Sequence, residues 1–245
     1  MLRCFGKLPA RTDYRTPRLR AYLTAALPAP LPAYDAVAAA VARLGYAADP
    51  LGLFPLDFND QWGDCTIAAA AHATTLFAAR AGTENVVGAD EVLAIYRSLT
   101  GGADNGLAEL DVLKWWNANA IGGARLLAFA SMQPANHDHI KLAIQLLGAC
   151  YFGIQVPQSM QDDFESGAVM QAGPLSNDGH AILATGYDAD TVSFLTWGGE
   201  MKMTWGCWDD CCDEAYVLLP TEAQDPGYAP GLDFAALQAD LGALT

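Results

Sequence analysis

A chain of 245 residues and 26.0 kDa that is 52% hydrophobic is long enough to bury a substantial core, as one large domain or two packed lobes. Its 13 Lys and Arg stand against 28 Asp and Glu, a formal net charge of −15 at pH 7, which argues against nucleic-acid backbones and anionic membrane surfaces as partners. No apolar run of about eighteen residues is present to span a bilayer. Residues 1–10 also lack the unbroken apolar centre of a secretory signal. A cytoplasmic protein with mostly reduced cysteines is therefore expected.

Along the chain, residues 1–58 read as an N-terminal arm punctuated by Pro9, Pro17, Pro28, Pro30, Pro32, Pro50 and Pro55, with one Ala-rich helical stretch over 34–44. Arg3, Lys7, Arg11, Arg15, Arg18 and Arg20 crowd its first twenty positions. They form a docking strip or, as the acidity of the remainder favours, a segment that folds back on the body. Residues 59–123 read as a helical lobe. An Ala-rich helix runs from Cys65 to about residue 81, a second covers 89–97 with Val92, Ile95 and Tyr96 on one face, and a third covers about 107–116. Residues 124–220 are strand-rich: 124–129, 151–156, 180–186, 191–197 and 214–219 read as strands, with a short helix over 137–147. Residues 221–245 form a tail with a short amphipathic helix over 233–244, capped by Asp233. Helices first and strands second predict an α+β fold, a helical lobe packed on a mainly antiparallel sheet.

The chemistry points to Asn59-Asp60-Gln61-Trp62-Gly63-Asp64-Cys65, where a loop hands over to a helix. The first-turn N–H groups of a helix are unpaired and carry its positive pole, so a thiolate there is stabilised. Gln61 has a side-chain N–H that could reach an oxyanion beside the Cys65 N–H. The bland alternative is a buried cysteine that begins a core helix. Asp64 either caps that helix or, as a carboxylate facing the thiol, raises the thiol pKa.

A nucleophilic thiol needs a base, and four histidines are available. His72 lies about 10 Å along the helix axis at ~1.5 Å per residue, too far to touch the thiol. His137 and His139 flank Asp138 in a polar loop. His180 follows Gly179 and opens a strand, which puts its imidazole at the end of a sheet. Cys207, Cys211 and Cys212 form a dense thiol cluster, but their spacing fits structural zinc poorly, and no metal or other cofactor is expected.

Gln-Trp-Gly-Asp-Cys at a helix start, then Gly-His-Ala ahead of an apolar run and Gly-Tyr-Asp, then Trp197-Gly198 after a strand, resembles the papain-like cysteine peptidases. Residues 149–154 are similar to that family's strand ahead of the histidine, 164–167 to the loop that follows, and 106–122 to the segment after the nucleophile helix; the resemblance spans about 55–219. It implies a papain-like fold with the cysteine on the helical lobe and the histidine on the β lobe. It also implies Cys65 as nucleophile, His180 as base, Gln61 as oxyanion donor, and Trp62, Gly63, Gly179 and Trp197 around a peptide or protein substrate. Trp197 would shield the base, and Trp205 and Trp208 are read as packing.

The chain departs from the family in two places. The Gln-to-Cys interval is shorter than in papain, and an Asp directly before the Cys is a feature of double-glycine leader peptidases. Where papain-like enzymes carry Asn and leader peptidases Asp, this chain has Thr196, with Asp188 and Asp190 as possible substitutes. Three functions stay open on these residues: a peptidase or amidase, a thiol-dependent transamidase or ligase, and an inactive binding protein that keeps the fold. The arm is open in the same way, as a propeptide over the cleft or as an integral structural element.

Overall fold

The computed structural model describes residues 3–24, 28–45, 50–221 and 232–242. Asp35 caps helix α1 (Ala36–Leu44) by accepting from the Ala38 N–H, and Gly45 ends it in the left-handed region at φ 71°. Helix α2 (Cys65–Arg80) is alanine-rich and buried on nearly every side. Small side chains let α1, α3 (Ala89–Thr100), α4 (Glu109–Ala118) and the sheet approach it closely. Gly101, at φ 66°, stops α3.

The sheet is antiparallel throughout the described residues. Its order is β2 (Ala128–Met132), β7 (Cys212–Leu219), β3 (Cys150–Pro157), β4 (Leu175–Tyr187), β5 (Thr191–Thr196) and β6 (Gly199–Thr204), with β1 (Tyr34–Asp35) pairing β4. α5 (His137–Leu142) runs on into a wider π-type turn over Ala143–Leu147. α6 (Met160–Ser166) and α7 (Trp205–Cys211) sit in the β3–β4 and β6–β7 connections. Phe152, Phe194 and Trp208 fill the core on one side of the sheet, with Phe152 and Trp208 4.5 Å apart. α2 packs on β4, and Cys65, the first residue of α2, meets Ala181 inside that strand; β4 begins at Leu175, so His180 lies within it rather than at its opening, because pairing with β3 extends back to Pro157.

The α+β expectation holds, with differences in detail. The first strand of the β-rich part begins at Ala128 rather than residue 124, because Ile121–Ala124 close a small turn before the chain reaches β7. β6, α6 and α7 were not anticipated. Residues 1–58 are partly built into the body, since β1 extends the sheet and α1 packs on α2. Of the expected tail, α8 (Phe234–Gly242) is seen, while 222–231 and 243–245 lie outside the described residues. No helix among the described residues is long and apolar enough to cross a membrane, and no group of His, Cys, Asp and Glu among them could hold a metal ion.

Candidate active site

Cys65 is the first residue of α2. The turn before it is tight, with Asp57 and Phe58 at positive φ, and the Ile67 and Ala68 N–H groups already donate to the Asp64 carbonyl. The thiol therefore sits at the positive pole of a sixteen-residue helix, yet it is only 1% exposed. Burial pushes its pKa up to about 12 against backbone hydrogen bonds with Ala181 and Gly6 that favour the thiolate. Asp64 does not cap the helix with its side chain. Its Oδ1 accepts from Asn59 Nδ2 at 2.9 Å, and burial, with the nearby Asp57 and Asp104 charges, raises it to about 8. At neutral pH Asp64 is mostly an uncharged acid, so it opposes a thiolate less than a carboxylate would.

β4 delivers His180, whose neighbour Ala181 contacts the thiol. His180 Nε2 lies 2.8 Å from Thr196 Oγ1 at the end of β5. With its proton on Nε2 the ring donates to that hydroxyl, which leaves Nδ1 a buried nitrogen without a hydrogen-bond partner among the described residues. Trp197 follows at φ 50° and stacks on the imidazole, centroids 5.1 Å apart at 29°. Burial drives the His180 pKa down to about 3, so base and thiol are both neutral here and do not hydrogen-bond to each other. Asp188 is engaged in the β4–β5 turn, accepting from the Asp190 and Thr191 N–H groups.

The other sequence candidates fall in several places. Gln61 is exposed, and its Nε2 donates to Asp60 Oδ1 at 3.4 Å. Trp62 lies under the Arg97 guanidinium, 4.3 Å from the ring centroid, and edge-on to Tyr96. Gly63 lies against Phe5 and Gly6, and Gly179 against Lys7, so both meet the same segment of the chain. His72 pairs with Asp57 at 3.0 Å, and His137 is half-buried against Trp205 and Asp209.

That segment is residues 3–8, which cross the cleft in extended form. The Cys4 N–H donates to the Asn59 carbonyl, Lys7 N–H to Gly179, Leu107 N–H to Gly6, and Leu8 N–H to Leu107, so both lobes are bonded to it. Phe5 meets the His180 ring edge-on at 5.5 Å, and the Arg3 guanidinium lies 4.8 Å over the Phe164 ring. Contact is close because it is glycine against glycine. A Cβ on Gly6 would fall 1.8 Å from the Gly63 carbonyl oxygen, and one on Gly179 would fall 2.4 Å from that of Lys7. No local pattern in the sequence announces this placement; the small Gly6 between Phe5 and Lys7 is its single trace.

No protein-family model matches the chain, and no curated protein sequence does. Its architecture is similar to xylellain, a cysteine protease from Xylella fastidiosa, at 14% identity and a TM-score of 0.62 over 89% of this chain and 98% of that one. The chain has the papain-like cysteine protease fold. The papain-like likeness extends to procathepsin L 3 of Tenebrio molitor larval midgut, 13% identical with a TM-score of 0.58 over 89% of this chain and 76% of that one. It extends also to procathepsin B S9 from Trypanosoma congolense, 10% identical with a TM-score of 0.57 over 88% of this chain and 86% of that one.

Proposed function

We propose that this protein is a cysteine peptidase or amidase, held in a closed form by its own residues 3–8. The observation that carries the reading is the occupant of the cleft: a peptide segment bonded to both lobes, lying beside the Cys65 thiol with Phe5 edge-on to the His180 ring. A groove that holds one extended peptide in this way suits another.

Once the segment leaves and water enters, the burial that keeps thiol and imidazole neutral is relieved. The Cys65 pKa then falls and that of His180 rises toward their ordinary values. The thiol proton passes to His180 Nδ1, and the thiolate attacks the substrate carbonyl carbon. The Cys65 backbone N–H meets the resulting oxyanion. As the tetrahedral adduct collapses, the leaving amine takes the proton from His180, and water then hydrolyses the thioester. Thr196 accepts from His180 Nε2–H and orients the ring, without the charge stabilisation a carboxylate would give. An amine in place of water would make the same acyl-enzyme a transamidase.

Substitution Gly6→Ala tests the reading, because its Cβ cannot coexist with the Gly63 carbonyl. Hydrolysis of a mixed peptide-anilide panel is expected to rise at least about tenfold over wild type and to vanish on adding Cys65→Ala or His180→Ala. A folded Gly6→Ala protein that hydrolyses nothing contradicts the peptidase reading and leaves the inactive binding protein.

A further inference from the structure

Next to Ala181, the residue that contacts the thiol, Gly153 leaves a small buried space that the mechanism above does not use. Lys7 fills it. Its side chain is 1% exposed, and Nζ lies 2.9 Å from Asp213 Oδ2, 3.0 Å from Glu214 Oε1 and 3.3 Å from the Leu8 carbonyl oxygen. Glu109, the first residue of α4, is fully buried against the same space, and neither of its carboxylate oxygens has a hydrogen-bond partner among the described residues. Gly153 on β3, opposite Ala181 and Glu214 in the sheet, makes the room: a Cβ there would fall 1.8 Å from Lys7 Cε and 2.9 Å from Glu109 Oε1.

Three carboxyl groups around one amine are more than a structural ion pair requires. Burying one charge is costly unless it is paired, and each extra acid adds to that cost. Burial raises the pKa of Glu109, with Glu214 adding to the effect, while the carboxylates together hold Lys7 charged against its own desolvation. The two orphan oxygens of Glu109 offer acceptors that a single ammonium leaves unused but a guanidinium, with five donors, would meet.

We infer that the space walled by Glu109, Gly153, Asp213 and Glu214 is the specificity pocket of the cleft, that it selects substrates with a lysine or arginine side chain, and that Lys7 is the chain's own stand-in for that side chain. The inference rests on the peptidase reading for its substrate, while the pocket itself can be tested without catalysis. Binding across the groove is generic backbone pairing; the pocket supplies the discrimination, since an acidic or neutral side chain would leave its carboxyl groups unpaired.

The test uses the full-length Lys7→Ala variant, whose pocket is vacant, and n-butylammonium as a side-chain probe. At about 50 mM the amine is expected to raise the melting temperature of Lys7→Ala by several degrees and to leave wild type unmoved, while 1-butanol and butyrate do nothing. On a peptide-anilide panel, the Gly6→Ala/Lys7→Ala double variant, whose segment is displaced, is expected to cleave peptides with Lys or Arg at the varied position at least about tenfold faster in kcat/KM than those with Leu, Gln or Glu. Adding Glu214→Gln should reduce that preference severalfold. Should Lys7→Ala fold poorly, refolding yield with and without butylammonium is read instead: a yield that rises with the amine supports the pocket, and one that ignores it overturns the pocket. Cleavage without preference for basic residues overturns the pocket and leaves the peptidase intact. Amine binding without any cleavage by the double variant keeps the cation pocket but overturns its role as a substrate-specificity pocket together with the peptidase reading.

Discussion

At the scale of single residues, burial decides the state of the site. Cys65 sits where a helix pole favours a thiolate, yet desolvation outweighs the pole and pushes it to about 12; His180, equally buried, falls to about 3. Thr196 holds the ring by a neutral hydroxyl at 2.8 Å, so its removal should cost orientation rather than charge stabilisation. In the Gly6→Ala background, Thr196→Ala is expected to lower kcat/KM about tenfold and leave KM nearly unchanged, measured by steady-state kinetics. Asp64 gives a second prediction. Its folded-state pKa, about 8, lies above the ordinary value of 3.8, so the folded protein binds a proton there that the unfolded chain gives up between those values. The stability this confers is complete below the unfolded pKa and is lost as pH rises through about 8. Asp64→Asn keeps an uncharged group in place. Urea unfolding of this variant should therefore show a smaller stability loss than wild type between about pH 5 and pH 8. An equal loss would mean that Asp64 is ionised in the fold.

At the scale of elements, the site depends on the first residue of α2 meeting the middle of β4 at His180 and Ala181. Tyr151 on β3 pins the first turn of α2, its buried hydroxyl donating to the Thr66 carbonyl at 2.9 Å. Tyr151→Phe should cost about 1 kcal/mol in denaturant unfolding, and a cost near zero would show that the contact carries no net stability. Helix α2 was legible because alanine runs without Gly or Pro declare a helix, and Gly101 marks the end of α3; the Asp35 cap, which starts α1 at Ala36 rather than residue 34, is seen only in the fold. β4 and β5 were legible from apolar runs beside a Tyr-Asp turn. β6 was hidden because Gly199–Thr204 alternates with charged Glu200 and Lys202 on an exposed face and becomes a strand only by pairing β5. α7 was hidden because its seven residues read as a thiol cluster, and their helix is set by Thr204 capping Cys207.

At the scale of the whole molecule, the basic N-terminal segment lies along an acidic body, with Lys7 against Asp213 and Glu214, Arg11 against Asp111, and Asp13 held by Lys114. Composition signalled this attraction but not its path, because the register of residues 3–8 in the cleft is set by long-range backbone bonds and glycine contacts that no local pattern encodes. Gln61 reads in sequence as a donor to the site, and in the fold it is exposed with its amide against Asp60. On the proposed function, Cys65 is an activatable thiol that residues 3–8 keep closed. Limiting iodoacetamide at about pH 6, with each cysteine read by mass spectrometry, tests it most directly. Cys65 is expected to be nearly inert in wild type, to be alkylated before every other cysteine in Gly6→Ala, and to lose that lead when His180→Ala is added. Equal, slow alkylation of Cys65 in folded Gly6→Ala and wild type would contradict it.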